Sequence, residues 1–336
     1  MVSVAEAWAL ISAEGRSELG WHARRIHLGS ACDIRAAVRA PDEAVAVLFE
    51  IASRSLLPGA EFPECVGFEL CLETIEPGPS GRIRLCLILK DGRYRGVFGT
   101  LSDDVATVVA GAATEALGVK LLLGRLHTWE RFVSRFGPDR LSDEQQIGLF
   151  AELHFLISEV IPVVPSALAA VRAWRGPFME AQDYRFRAVA VEVKASSAKA
   201  PSSFQVSNLD QLDGGAVDAL LVYHATIEAD ASVGSTLPEM VAKARAAVAT
   251  SDPAASSDLD TSLMEVGYLD IHAASYDRTF RIASVRWFHV EDAFPRLRRA
   301  SIPAGVTAAS YSVSLDSCAP FALDAASARN MIQARL

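Results

Sequence analysis

The chain has 336 residues, 51 % of them hydrophobic, which is ample for a large buried core and for two or three domains. Its 41 acidic and 32 basic residues leave a net charge of −9, so the overall basic footprint of a strong nucleic-acid binder is missing. The most apolar stretch, Val105 to Val119, is too short for a membrane span and carries Thr and Glu, and the opening M-V-S-V-A-E-A-W has no basic segment ahead of an apolar one; no membrane contact, no signal peptide and a cytoplasmic protein are expected.

In chain order, a helix is predicted near Val4 to Ala13, followed by a loop-rich stretch and by strands at Gly67 to Glu76 and Ile83 to Lys90. Asp91-Gly92 is a hairpin signal into a strand over Tyr94 to Phe98, and Ser102 then caps an alanine-rich helix to about Leu117. These elements make an N-terminal α+β domain with an antiparallel meander, residues 1–125, whose role is not legible.

Ser142 opens the next helix with the capping pattern S-D-E-Q, running to about Val160 before Pro162. Leu149, Phe150, Leu153, Leu156, Ile157 and Val160 form its buried stripe, and Glu152 sits on the edge of that stripe. A half-buried acid needs a partner. A metal ion or an arginine fits the spacing equally well, whereas Glu159, two turns on, is expected in solvent.

The segment D-Y-R-F-R-A-V-A-V-E-V-K, Asp183 to Lys194, carries the most chemistry. Val189, Val191 and Val193 alternate with Ala190, Glu192 and Lys194, so Glu192 and Lys194 share one strand face while the valines face the core. If Tyr184 to Phe186 pairs antiparallel with this strand, Asp183 falls opposite Glu192. Two carboxylates beside one lysine suit Mg²⁺ and a phosphodiester, with the lysine positioning or deprotonating the attacking water. The same E-x-K pattern also occurs as an ordinary solubility device on exposed strands.

Phe204 to Val206 is a short strand, and Ser207-Asn208-Leu209-Asp210 caps a further helix with Gln211 in its first turn, a candidate substrate contact. Leu220 to Tyr223 is a buried strand. Ala247 to Ser262 is small, polar and acidic, and is expected as a surface loop or linker; Arg281 to Val290 and Ser310 to Leu315 are later strands. Arg125, Arg131, Arg135, Arg140, Arg172, Arg175, Arg185, Arg187, Lys194 and Lys199 gather in sequence around the acids. Arg131 and Arg135 share a helix face, and Arg185 and Arg187 a strand face, each able to meet phosphate or a neighbouring acid. The five cysteines, at 32, 65, 71, 86 and 318, show no C-x-x-C spacing, and the seven histidines show no ligand spacing; buried thiols are expected rather than a zinc site or a disulfide frame. No P-loop, G-x-S-x-G elbow or dinucleotide fingerprint is present.

The order helix with Glu, Asp strand, E-x-K strand, strand and helix resembles the core of the PD-(D/E)XK nuclease superfamily. G-L-F-A-E-L-H-F-L from Gly148, W-R-G-P from Trp174, V-E-V-K from Val191, S-N-L-D-Q-L from Ser207, Y-D-R-T-F from Tyr276, F-P-R-L from Phe294 and Y-S-V-S-L from Tyr311 are similar to a narrower bacterial family of PD-(D/E)XK-motif proteins. Gln182 stands where the motif name has proline. The resemblance implies an α/β, restriction-endonuclease-like core, a mixed central sheet flanked by helices, over residues 126–250, with a C-terminal α/β extension at 251–336 packed on it. It implies Asp183, Glu192 and Glu152 as metal-binding acids, Lys194 as the catalytic lysine, Mg²⁺ as cofactor with Mn²⁺ as substitute, and DNA as substrate. It further implies a restriction or anti-phage setting with methyltransferase or ATPase partners. A homodimer would suit symmetric double-strand cuts. The superfamily also holds non-cleaving members, so the alternative function is a DNA-binding or assembly subunit that has kept the fold.

Overall fold

The computed structural model describes residues 2–14, 18–75, 81–197, 201–215, 217–249 and 253–335, arranged as two compact units, Met1–Asp139 and Arg140–Leu336. The mixed α/β character expected from the sequence is present in several sheets. The boundary expected at residue 125 instead falls inside a helix, α3. Among the described residues no helix is long and apolar enough to cross a membrane.

In the first unit, α1 (Val4–Ala13) starts at a Ser3–Glu6 capping box. Five antiparallel strands follow: β1 (Gly20–Ile26), β2 (Asp33–Ala40), β3 (Val45–Ala52), β4 (Phe68–Thr74) and β5 (Arg82–Leu89), in the order β1-β2-β3-β5-β4. Helices α2 (Arg95–Ala110) and α3 (Glu115–Phe136) complete it. Trp8 stacks on Phe98 at 5.5 Å and donates its indole N–H to the Ala46 carbonyl at 2.8 Å, tying α1 and α2 to the sheet. The sheet curls far enough for Trp21 on one edge strand to donate to both carboxylate oxygens of Glu73 on the other, at 3.1 and 3.2 Å.

Three expectations change here. The strand placed at Tyr94 to Phe98 is a 3₁₀ turn running into α2, because the Asp91 carboxylate accepts the Arg93 N–H and winds the chain helically. Ser102 lies buried inside α2; the break comes at Gly111, and Thr114 caps α3. The first three strands were not foreseen: alanines and arginines mask the alternation in β1 and β2, and β3, V-A-V-L-F-E-I-A, is buried on both faces and so does not alternate. Of the Gly67 to Glu76 strand, Glu76 lies outside the described residues.

The second unit opens with α4 (Asp143–Phe155), whose Ser142–Gln145 capping box forms as the sequence indicates, and which relaxes into a π-turn over Leu156–Val160. Then come α5 (Ala167–Ala173), β6 (Tyr184–Phe186), β7 (Val189–Ser196), β8 (Ser203–Val206), β9 (Ala219–Ala229), β10 (Ser235–Thr236), α6 (Leu237–Ala249), α7 (Pro253–Glu265), β11 (Thr279–His289), β12 (Tyr311–Ser314), α8 (Leu315–Cys318), β13 (Ala322–Leu323) and α9 (Ala325–Gln333). The central sheet has the order β10-β11-β9-β7-β6 with β13 beside β11; β7 and β9 are parallel, and the other pairs antiparallel. Helices α4 to α7 cover one face. Phe155 sits at their centre, its ring 4.7 Å from Tyr184, 4.8 Å from Tyr223 and 5.5 Å from Trp287.

The stretch from Ala247 to Ser262 is not a loop: α6 continues to Ala249, and Pro253 opens α7, which buries Ala255, Leu259 and Leu263 along one face. Its small residues read as a linker but support a helix once that apolar face has a neighbour; residues 250–252 lie outside the described set. Residues 251–336 are no separate layer either, since β11 is an interior strand of the central sheet. Glu159, expected in solvent, is buried and held by Arg329 of α9 at 2.7 and 3.1 Å.

Candidate active site

β6 and β7 pair with Tyr184 opposite Val191, so Asp183, one step before β6, stands opposite Glu192. Its Oδ2 accepts the Val193 N–H at 2.7 Å, fixing the carboxylate across the strand pair. Glu192 and Lys194 share a face as the alternation requires, with Nζ 2.9 Å from Glu192 Oε1. This is not a solvated strand face: Glu192 is 1 % exposed, and its Oε2 is buried without a hydrogen-bond partner. A buried carboxylate oxygen left unmatched is costly, which marks it as a position for a ligand.

Glu152 approaches from α4. Its partner is not an arginine but the Trp174 indole, which donates to Oε2 at 2.7 Å, while the Tyr184 hydroxyl donates to the Glu152 carbonyl at 2.8 Å. The W-R-G-P turn that carries Trp174 folds back so that the N–H groups of Arg175 and Gly176 reach the Asp183 carbonyl at 2.7 and 3.0 Å. A Cβ built on Gly176 would stand 2.9 Å from Asp183 Oδ1 and 3.2 Å from Glu152 Oε2, so both carboxylates crowd this glycine. Gly176→Ala should therefore displace both acids and lower stability by about 1–3 kcal/mol, as overpacking does. Thermal unfolding with and without divalent metal checks it: metal-dependent stabilisation should be lost together with the shift in midpoint.

The three acids polarise one another. Burial, then the Asp183 charge, pushes the Glu192 carboxyl up to about 8, against the pull of Lys194. Burial and Asp183 likewise hold Glu152 well above the usual carboxylate range, opposed by the Trp174 hydrogen bond. Asp183 is raised by burial and held back by Lys194 and the Val193 N–H. A divalent cation would relieve all three, and hard carboxylate oxygens are the donors that Mg²⁺ or Mn²⁺ takes. Among the described residues, the group of three candidate ligand atoms that lie mutually within 4.8 Å is elsewhere, in the first unit.

Lys194 is braced from a second side by Gln211, whose Oε1 accepts from Nζ at 2.9 Å and from the Ser207 N–H at 2.8 Å. Gln211 sits in a short 3₁₀ turn, Leu209–Leu212, capped by Asn208 rather than by Ser207. Gln182 holds that turn by donating from Nε2 to the Asp210 carbonyl at 2.8 Å. The residue standing in the motif's proline position thereby sets the partner of the lysine. Sequence reasoning missed Trp174, Gly176 and Gln182 as site residues, although the W-R-G-P turn directly ahead of the Asp183 strand was a signal for the first two.

Part of the expected basic surround is engaged elsewhere. Arg172 pairs with Asp258, Arg175 approaches Glu180 at 3.8 Å, Arg140 donates to the Ser275 carbonyl, and Arg125 pairs with Asp104 in the first unit. Arg131 and Arg135 lie on α3 of the first unit, Arg135 over the Phe136 ring at 4.9 Å, so they belong to a different unit from the acids. Arg185 lies on β6, opposite Ala190 and on the face shared by Glu192. Lys199 lies outside the described residues.

Comparison with the curated proteins and with the solved structures gave no match. Residues 4–316 match the family described as "Putative PD-(D/E)XK family member, (DUF4420)". With most of its length matched, the chain belongs to this family.

Proposed function

We propose that the protein is a divalent-metal-dependent DNA endonuclease built on a restriction-endonuclease-like core. The observation that carries the proposal is the buried, unpartnered oxygen of Glu192 beside Asp183 and Lys194. Asp183 and Glu192 would hold Mg²⁺, or Mn²⁺ in its place, with Glu152 as a third acid. When bound, the ion supplies Lewis acidity at the phosphoryl oxygen and eases deprotonation of water. Lys194, held between Glu192 and Gln211, orients the attacking water and donates to charge developing on the phosphate. Trp174 and Gln182 keep Glu152 and the Gln211 turn in place. A cleft of about 890 Å³ beside Lys194, lined by Gly148 of α4 and by Ser203 and Gln205 of β8, gives a strand room to approach. The restriction or anti-phage setting, the methyltransferase or ATPase partners and a homodimer rest on the resemblance alone.

Supercoiled plasmid and phage DNA incubated in Mg²⁺, Mn²⁺ or EDTA, with Asp183→Asn and Glu192→Gln beside the parent, tests this. Nicking or linearisation is expected with metal only, and in neither variant, with circular dichroism unchanged. The pairing of Arg172 with Asp258 and the net charge of −9 favour a second reading, a non-cleaving binding or assembly subunit. DNA or protein binding that persists in EDTA, with no cleavage under any metal, would select it.

A further inference from the structure

A second cluster of metal-ligating side chains lies in the first unit, where the cysteine spacing argued against one. β4 and β5 run antiparallel with Cys71 directly opposite Cys86, and Glu73 follows Cys71 by two residues, on the same face. One ligand atom from each of Cys71, Glu73 and Cys86 lies within 4.8 Å of the other two. A tetrahedral ion with metal–sulfur bonds of about 2.3 Å has ligand atoms about 3.8 Å apart, so small rotamer changes close the set. A register-opposed strand pair accounts for the juxtaposition without any C-x-x-C spacing, which is why the sequence did not reveal it.

We propose that Cys71, Cys86 and Glu73 form a site for a thiophilic divalent cation of the zinc class, with the fourth position left to water or a ligand. Two thiolates and a carboxylate are the soft and borderline donors that such an ion selects over Mg²⁺. Glu73 is oriented by the Trp21 indole N–H, which reaches both its oxygens at 3.1 and 3.2 Å and leaves their outer lone pairs for an ion. The Arg84 guanidinium stands 3.7 Å from Glu73 Oε2 but pairs more closely with Glu50, at 2.8 Å, so two thiolates and one carboxylate would leave one net negative charge on a divalent ion. Cys86 is fully buried while Cys71 and Glu73 are only partly so, which leaves the ion an approach from the side of the β4 edge strand.

The test uses the full chain, reduced and stripped of metal, titrated with Co²⁺ as a spectroscopic stand-in for Zn²⁺. A thiolate-to-cobalt charge-transfer band saturating at about one ion per chain, and displaced by Zn²⁺ but not by excess Mg²⁺, is expected. Cys71→Ser and Cys86→Ser should abolish the band. Glu73→Gln keeps both thiols and should weaken binding by at least about tenfold, taking the loss seen for outer-shell partners as the floor. Glu192→Gln should leave the band unchanged, which separates this site from the acids of the second unit. Absence of the band in folded protein whose thiols titrate as free would overturn the proposal. So would a Cys71–Cys86 disulfide in the isolated protein if no band appears after its reduction.

Discussion

Lys194→Ala is expected to slow metal-dependent strand cleavage by about 10²–10⁴-fold, the range a positioned proton-transfer or charge-stabilising group contributes. The side chain is 11 % exposed and held at 2.9 Å by both Glu192 and Gln211, so it has little freedom to serve only as a solubility charge. Its removal takes a positive charge away from Asp183, Glu192 and Glu152, each of which it draws toward the ionised state. Without it the acids keep their protons to higher pH, but once ionised they attract a cation more strongly, so the comparison is made above about pH 8. Metal binding should thus survive in Lys194→Ala while single-turnover cleavage collapses, and Lys194→Arg should recover only part of the rate because a planar fork cannot replace a point charge in this fit. Cleavage within about tenfold of the parent, or a rate fully restored by raising Mg²⁺, would remove Lys194 from the chemistry.

The site was legible from the sequence where its logic is local. Alternation alone puts Glu192 and Lys194 on one face, a three-residue strand pairing puts Asp183 opposite Glu192, and the helical stripe leaves Glu152 at its border. Illegible were the supports that depend on chain reversal: the Trp174 indole on Glu152, the close approach of Gly176, and the Gln182 amide that fixes the Gln211 turn. The fold followed the same division. The capping box at Ser142 and the valine-rich β7 declare themselves over a few residues. The alanine-rich β2, and α7 with its serines and aspartates, take their structure from tertiary neighbours rather than from propensity. Glu159 illustrates the point, since its partner Arg329 is 170 residues away and nothing near it in sequence announces burial.

The metal-free protein should lose stability as pH rises from about 6.5 to about 8, and Glu192→Gln should remove the share of that loss that Glu192 contributes. Glu192 has its folded carboxyl pushed up to about 8 from an ordinary 4.5, so the stability tied to its proton is complete below 4.5 and is lost as pH climbs through 8. Asp183 and Glu152, also raised by burial, act with the same sign. His224 works in the opposite sense: burial and the Arg286 charge lower it from 6.5 to about 4, so its contribution is complete above 6.5 and is lost as pH falls through 4. Between 4.5 and 6.5 the two slopes oppose each other. Above 6.5 the histidine is neutral in both states and the carboxylates act alone, at up to about 1.4 kcal/mol per pH unit for Glu192, or about 2 kcal/mol over the interval. Urea unfolding in EDTA at the two ends of this range measures the slope. Added Mg²⁺ should stabilise the parent more at the upper end, since an ion binds the carboxylate only after the proton leaves. An equal slope in parent and Glu192→Gln would mean that Glu192 is already ionised in the metal-free fold, its charge met by Lys194 rather than by a proton.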